Sequence, residues 1–308
     1  MDKRAQFFID DVIWLFRDLA RQRPTSIYDN AYMSMLKKAH DEYGLKVQLN
    51  VFYRTSFWYG ADEFSLAEMP DCYKAEFEAA ADWLKFGFHS LEEFPDYPFV
   101  NADYADVDAV YKKIKGEIVR FAGERSWALS VVPHWAPISR EGILAFRDNG
   151  VKVTYTTRGE RKEWTGDVQS LPYGHAARLL QNKKPETGVF NRVTRDKAIE
   201  DSICGYNHMS EEKYASMVGK WATVADEATG MHFTVAASTV LNLTPLDEVE
   251  ESISKNIGEE YISLATHEQY FYEDYFAYQP DYADKIYVMS KFLQEHGYRF
   301  VFAEELAD

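Results

Sequence analysis

Hydrophobic and polar positions follow two different periods along this chain. Short apolar runs, typical of strands, are separated by longer segments in which apolar residues recur every three or four positions, as in amphipathic helices. Gly44 and Gly123 follow two of these segments, and glycine commonly ends a helix. The predicted strands are residues 7–10, 46–53, 84–88, 127–132, 151–157, 231–240, 261–265 and 299–302. The predicted helices are residues 32–43, 72–83, 107–121, 140–149, 211–228, 246–256 and 282–296.

This alternation predicts the α/β fold class, with roughly seven or eight βα units. A closed or partly open α/β barrel is the economical architecture. A doubly wound open sheet is the rival, because alternation alone does not separate the two. The pattern breaks over about residues 158–208, which predicts an insertion after strand five with a hairpin near residues 188–195. We therefore expect one barrel domain over residues 1–308.

Composition narrows the function classes. The chain of 308 residues carries a formal net charge of −16, which argues against binding to nucleic acids or anionic membranes. Two cysteines, Cys72 and Cys204, exclude a disulfide framework and a cysteine-based zinc site. No segment approaches ~18 apolar residues and no secretory signal begins the chain, so we expect a cytoplasmic protein without a membrane span. A homo-oligomer is left open.

Residues capable of chemistry follow several predicted strands directly. Asp10 and Asp11 end the first strand, His89 follows the third, His134 follows the fourth, and His267 follows the strand at residues 261–265. Reactive groups of βα barrels lie at these carboxyl ends. Aspartate and histidine are suitable ligands for Zn²⁺ or a similar divalent ion, and of two adjacent aspartates one can bind metal while the other acts as a base.

The alternative interpretation of the two aspartates is structural. Aspartate is a favoured N-cap, and acidic side chains in a first helical turn are stabilised by the helix dipole. Asp10 and Asp11 would then cap a helix that starts at Val12.

The segment Phe8-Ile9-Asp10-Asp11, followed by Gly87-Phe88-His89-Ser90 and a late histidine after a strand, resembles the polysaccharide deacetylase superfamily. This superfamily contains carbohydrate esterase family 4 and its divergent relatives, with a Thr-Phe-Asp-Asp-type first motif, a His-Ser/Thr-x-x-His second motif and a late Leu-x-His motif. The resemblance implies a distorted (β/α)7-8 barrel of the polysaccharide deacetylase type. It also implies removal of acetyl groups from N-acetylated sugars with zinc or another divalent metal.

Carried over by position, the resemblance makes Asp11 and His89 metal ligands and Asp10 the catalytic base. The second metal histidine is expected four residues after His89, where this chain has Glu93. Glutamate is a competent ligand, so we predict a metal site of Asp11, His89 and Glu93, with Glu92 as the substitute if the turn is shifted. Zinc is the favoured ion, and a ligand set with two carboxylates makes Mn²⁺ or Mg²⁺ more plausible.

The resemblance also assigns His267 as the general acid that protonates the leaving amine. The third motif of the family carries an arginine near a proline, which the segment Val131-Val132-Pro133-His134-Trp135 lacks. We assign His134 and Trp135 to substrate binding, together with Tyr270 from the aromatic cluster that follows His267. Sugar rings stack on aromatic faces, so this cluster supports a carbohydrate substrate. No aspartate of a fourth motif is identified.

The leading hypothesis is therefore a metal-dependent hydrolase that removes an acetyl group from an N-acetylated sugar or a related carbohydrate. A second hypothesis is a catalytically lapsed carbohydrate-binding barrel, because Glu93 replaces a histidine and the third-motif arginine is missing. A third is a glycoside hydrolase, which needs two carboxylates facing each other at roughly 5–10 Å. Convergence of His89 and Asp11 on one point would favour the metal.

Overall fold

A computed structural model describes most of the chain. The described residues are 2–55, 63–93, 98–99, 102–135, 138–156, 223–227, 229–235 and 237–307. The predicted insertion at residues 158–208 and its hairpin therefore lie outside the described residues.

Within these residues the chain forms ten strands and seven helices, besides short 3-10 turns. The strands are β1 (Arg4–Val12), β2 (Val47–Phe52), β3 (Leu84–Ser90), β4 (Ser130–Val131), β5 (Val153–Thr156), β6 (Thr223–Asp226), β7 (Met231–Val235), β8 (Thr239–Val240), β9 (Tyr261–His267) and β10 (Arg299–Phe300). The helices are α1 (Trp14–Gln22), α2 (Ala31–Tyr43), α3 (Lys74–Ala80), α4 (Tyr104–Ala122), α5 (Arg140–Asp148), α6 (Val249–Ser254) and α7 (Tyr282–Glu295).

The strands form two sheets that are almost entirely parallel. The first has the order β3-β2-β1-β9-β8, with β10 also paired to β1, and the second has the order β4-β5-β7-β6. Among the described strands, only β6 pairs antiparallel, with β7. Parallel neighbours connected through helices confirm the predicted α/β class.

The two sheets meet at β3 and enclose a shared interior. Trp127, just before β4, forms a parallel bridge with Phe86 of β3. Phe8 of β1 lies 4.9 Å from Tyr155 of β5 between ring centroids, and both belong to one buried cluster. The first sheet therefore curls toward the second, but the pairing of the described strands does not show a closed barrel.

Several predicted elements differ from the observed ones. The predicted helix at residues 211–228 ends as strand β6, because residues 223–226 pair with β7, and its earlier part lies outside the described residues. The single strand predicted at residues 231–240 is split between the two sheets: β7 pairs with β5, whereas β8 pairs with β9. The predicted fourth strand shortens to Ser130–Val131.

Apolar side chains pack the helices onto the outer face of the first sheet. Phe16 of α1 contacts both Phe86 of β3 and Phe121 of α4, at centroid distances of 5.3 and 5.1 Å. Buried polar side chains of alternate strand positions, such as Gln48 and Asn50, face the other way because successive residues of a strand point to opposite faces. Among the described residues, no helix has the length and apolar character needed to cross a bilayer.

Candidate active site

The carboxyl end of β1 bends so that two adjacent aspartates turn toward the same region. Asp11 has a φ of 63°, a left-handed conformation that is uncommon for a residue with a side chain. The pairing of β1 with β2 shifts register between Ile9 and Val12, which is the mark of a bulge. Asp10 and Asp11 are both buried and both reach His89, at 3.9 Å and 3.0 Å. In a regular strand, successive side chains point to opposite faces, but the sharp turn at Asp11 brings the side chains of both aspartates to the same side.

Three side chains from three strand ends converge beside this turn. Nε2 of His89 lies 3.0 Å from Oδ1 of Asp11, and Nδ1 of His134 lies 3.0 Å from Nε2 of His89 and 3.4 Å from the same Asp11 oxygen. Ligand atoms of all three residues lie within 4.8 Å of one another, and all three residues are buried. Two imidazoles and one carboxylate provide the three protein ligands that a catalytic zinc site uses.

Backbone carbonyls determine which ring nitrogens carry protons. Nδ1 of His89 lies 2.7 Å from the carbonyl oxygen of Val132, and Nε2 of His134 lies 2.9 Å from the carbonyl oxygen of Glu93. A carbonyl only accepts, so these two nitrogens donate, and in the neutral rings the other nitrogens present lone pairs. Those lone pairs lie beside the Asp11 carboxylate, where either a proton on Nε2 of His89 or a bound cation satisfies the three acceptors.

Burial and neighbouring charges shift the pKa values of the group in different directions. Burial and, next, the charge of the nearby His89 together lower the pKa of His134 to about 3, so this ring is neutral at physiological pH. Burial also opposes protonation of His89, but Asp10 and the hydrogen bond with Asp11 outweigh it and raise the pKa of His89. Burial raises the pKa of Asp10. At Asp11 burial acts in the same sense, yet the hydrogen bond from His89 and the surrounding histidines hold its pKa below the ordinary value.

The structure does not bring the predicted glutamates into this group. The side chain of Glu92 forms a salt bridge with Arg54, at 2.5 Å. Glu93 contributes its backbone carbonyl, which accepts the hydrogen bond from His134, and its carboxylate is not among the converging donors. The third residue that converges with Asp11 and His89 is His134, which the sequence analysis assigned to substrate binding. The reason is spatial: the segment after β4 runs alongside β3, where the backbone N–H of His134 donates to the carbonyl of His89 at 3.2 Å.

The two residues predicted as acid and base are neighbours across the pair of strands β1 and β9. Asp10 is in register with His267, and Oδ1 of Asp10 accepts a 2.7 Å hydrogen bond from Nδ2 of Asn50. Nδ1 of His267 lies 3.0 Å from Oδ1 of Asn242, which also accepts from Thr266. Sequence reasoning missed Asn50 and Asn242. Asn50 falls on a predicted strand and Asn242 lies two residues after one, but only their partners show their importance.

Residues after β9 hold the turn that carries Asp11. Nε2 of Gln269 donates to Oδ2 of Asp11 at 2.9 Å, so the second oxygen of this carboxylate is also engaged. Glu268 is fully buried and accepts hydrogen bonds from the backbone N–H groups of Ile13, Trp14 and Leu15, at 2.7, 2.8 and 2.7 Å. Burial raises the pKa of Glu268 to about 7, with the three donors acting in the opposite direction.

This contact corrects the capping interpretation of the two aspartates. Helix α1 begins at Trp14 rather than Val12, and no side chain at its N-cap position forms a capping hydrogen bond. The acid that satisfies its first N–H groups is Glu268, which is distant in sequence. Asp10 and Asp11 are thereby free to face the histidines.

Aromatic side chains surround the converging donors. Phe52 packs against His89 and His134, at centroid distances of 5.2 and 4.9 Å. Trp135 lies 5.7 Å from His134 and also has a left-handed backbone, with φ of 63°. Tyr270 lies 6.3 Å from His267. The three residues assigned to substrate binding therefore each lie beside a residue of the site.

No protein-family model and no curated protein matches the sequence. The chain is similar in structure to the 4-α-glucanotransferase of Thermococcus litoralis, with 11% identity and a TM-score of 0.55 over 99% of this chain and 40% of that enzyme. It is also similar to a carbohydrate esterase family 4 pseudoenzyme of Bacillus anthracis, with 10% identity and a TM-score of 0.49 over 100% of this chain and 66% of that protein. This chain thus spans less than two thirds of either protein.

A third similar structure is a family 4 acetyl xylan esterase of Clostridium thermocellum, with 12% identity and a TM-score of 0.43 over 99% of this chain and 90% of that chain. Several of the similar structures are carbohydrate esterase family 4 proteins, the family that the sequence motifs resemble, at low sequence identity. Likeness at such identities describes a fold, and the chemistry rests on the site itself.

Proposed function

We propose that this protein is a metal-dependent hydrolase that removes an acetyl group from an N-acetylated sugar or a related carbohydrate. One observation carries the proposal: a nitrogen of each of two imidazole rings and the carboxylate of Asp11 converge within 3.0–3.4 Å in a buried site. In the metal-free protein a proton on Nε2 of His89 joins these acceptors, in agreement with the raised pKa of His89, and a divalent ion would take the place of that proton. The predicted ligand role of Glu93 passes to His134 in this proposal.

The donor set fits a divalent ion, with Zn²⁺ favoured because two of three ligands are imidazoles. Such an ion would supply a water nucleophile near neutral pH and polarise the acyl carbonyl. Asp11, His89 and His134 would hold it, and the carbonyls of Val132 and Glu93 and the amide of Gln269 would orient these ligands. Ligand partners of this kind keep each ring in one tautomer.

Proton transfer is assigned to the neighbouring pair of strand ends. Asp10 would accept a proton from the attacking water, and His267, oriented by Asn242, would donate one to the leaving amine. Trp135 and Tyr270 would provide apolar faces for the sugar ring. These roles follow the resemblance, and the register of Asp10 with His267 places both residues at the same edge.

The same geometry favours the hydrolase over the two alternatives. The lapsed barrel was motivated partly by a missing metal histidine, and His134 supplies a second imidazole from another strand end. A glycoside hydrolase needs two carboxylates across a pocket, whereas both oxygens of Asp11 are engaged, by His89 and by Gln269.

Metal binding to matched variants tests the proposal. We expect purified protein to bind one Zn²⁺ per chain by calorimetry, His134→Leu to lose at least about tenfold in affinity, and Glu93→Gln to keep it, because the carboxylate of Glu93 is not among the converging ligand atoms of the described residues. Acetate release from N-acetylated oligosaccharides should accompany the metal and disappear in Asp10→Asn. Wild-type protein that binds no divalent ion, or equal zinc affinity in wild type and His134→Leu, would contradict the proposal.

A further inference from the structure

A chain of buried amide side chains leads through the interior of the fold to Asp10. Nδ2 of Asn50 donates to Oδ1 of Asp10 at 2.7 Å, and Nε2 of Gln48 donates to Oδ1 of Asn50 at 2.7 Å. Gln48 and Asn50 are two residues apart on β2 and are both fully buried. Hydrogen bonds to an ionised group are among the strong ones in proteins, and burial removes competing water.

The direction of this chain is determined at its far end. The backbone carbonyl of Ser130 accepts from Nε2 of Gln48 at 3.1 Å, and the Ser130 hydroxyl lies 2.5 Å from Oε1 of the same amide. A carbonyl cannot donate, so the amide nitrogen of Gln48 must face it and Asn50. Asn50 in turn presents its oxygen to Gln48 and its nitrogen to Asp10.

Salt-bridged groups hold Ser130 in place behind the amides. The Ser130 hydroxyl lies 3.0 Å from Oε2 of Glu304, and Oε1 of Glu304 accepts from Lys85 at 2.7 Å. Glu304 belongs to the 3-10 turn Ala303–Leu306 near the end of the chain. The orientation of Asn50 is therefore anchored by β3, β4 and the C-terminal turn together.

The neighbouring strand has a glycine where the two amides need room. Gly87 of β3 is in register with Asn50, and a Cβ at this position would lie 2.5 Å from both Oδ1 of Asn50 and Nε2 of Gln48. Gly87 is not among the residues with positive φ, so its backbone does not itself require glycine. A glycine is needed at residue 87 because any side chain there would collide with the amide groups of Gln48 and Asn50.

We propose that Asn50, oriented by Gln48 and accommodated by Gly87, is the positioning residue that holds the Asp10 carboxylate for proton transfer. The role of Asn50 in catalysis rests on the proposed function. Its role in orienting the Asp10 carboxylate does not depend on that function. Among the hydrogen bonds of the described residues, Asn50 bonds Asp10 and Gln48 and none of the three residues assigned to the metal, so its loss should disturb the base without disturbing metal binding.

Crystal structures and kinetics of three variants test the inference. Asn50→Leu removes the donor at nearly constant volume, Gly87→Ala leaves both amides but displaces them, and Gln6→Leu removes another buried amide that bonds Tyr261 instead of Asp10. We expect the Asp10 carboxylate to leave its position in the first two variants and to keep it in the third. We expect kcat to fall about tenfold to a hundredfold in the first two, with KM and zinc affinity within about twofold of wild type.

The outcomes separate this inference from the proposed function. An Asp10 carboxylate that keeps its position in Asn50→Leu, or unchanged kcat in both Asn50→Leu and Gly87→Ala, overturns the inference while leaving the hydrolase intact. Wild-type protein that releases no acetate overturns the proposed function, and the position of Asp10 in the variant crystals then still decides the inference. If Asn50→Leu does not fold, Gly87→Ala, which adds a single methyl group, decides it in the same way.

Discussion

The carboxylate of Glu268 is expected to carry an unusually large share of the stability of the fold. It is 0% exposed and is the acceptor for three consecutive backbone N–H groups at the start of α1. Removing an acceptor leaves each buried donor unsatisfied at a cost of about 1–3 kcal/mol. Glu268→Leu should therefore cost about 3–9 kcal/mol, against a total stability of about 5–15 kcal/mol for a typical protein.

Glu268→Gln is the variant to measure, because it leaves one acceptor oxygen and the same shape. Oε2 accepts from Ile13 and Trp14, whereas Oε1 accepts from Leu15. An amide loses at least one of these bonds and, at pH values above 7 where Glu268 is ionised, weakens the others by removing the charge, so we expect a loss of about 2–4 kcal/mol there. Urea unfolding followed by circular dichroism would measure the free energy of unfolding.

Glu68→Gln provides the matched control. Glu68 also accepts from a backbone N–H, that of Ser65 at 2.8 Å, but at an exposed site where water can replace it. Its expected cost is below about 1 kcal/mol. Equal losses in the two variants would refute the claim that the buried triple acceptor is special. Because Ile13 follows Asp11 by two residues, Glu268→Gln should also weaken zinc binding, whereas Glu68→Gln should leave it unchanged.

Two further predictions concern pH and backbone conformation. The pKa of His134 is lowered to about 3, so between pH 6.5 and 4 the unfolded chain binds a proton at this residue and the native state does not. The metal-free protein should therefore lose stability as the pH falls, by up to about 1.4 kcal/mol per pH unit from this group. In His134→Gln, the free energy of unfolding measured across this range should depend less steeply on pH. An unchanged slope would contradict the assigned neutrality of the ring. At Gly116, inside α4 with nothing within 4 Å of an added Cβ, alanine should raise the free energy of unfolding by about 0.5–1 kcal/mol. Gly123→Ala should lower the free energy of unfolding by more than about 1 kcal/mol, because φ is 88° and the Cβ would lie 2.1 Å from Oε1 of Glu78. Shifts of the denaturation midpoint in the same direction for both alanine variants would be inconsistent with this account.

The geometry of parallel strands predicts much of the site from the sequence alone. Parallel strands bring their carboxyl ends to one edge, so Asp10, Asp11, His89, His134 and His267 were expected there from the strand pattern alone. The pattern is strong because βα units alternate over most of the described chain. It was weaker where short strands leave few residues to show a period, as at Thr223–Asp226 and Thr239–Val240.

The choice among these residues required the three-dimensional arrangement. Spacing along one loop pointed to Glu93, four residues after His89, whereas the third donor in space is His134, which is 45 residues away in sequence. A loop is free to turn a side chain in any direction, so its spacing does not determine which donors converge. That is determined by the path of the segment after β4 along β3 and by the left-handed turn at Asp11.

The supporting residues depend even more on the assembled fold. Asn50, Asn242, Gln269 and Glu268 belong to common residue types, and each acts through partners from another part of the chain. Local preference and periodicity report on neighbours in sequence, so they predict strands, helices and strand ends. Hydrogen bonds between distant segments arise from strand register and bulges, which no local pattern encodes. The polar residues that support the site are therefore identified only from the tertiary structure.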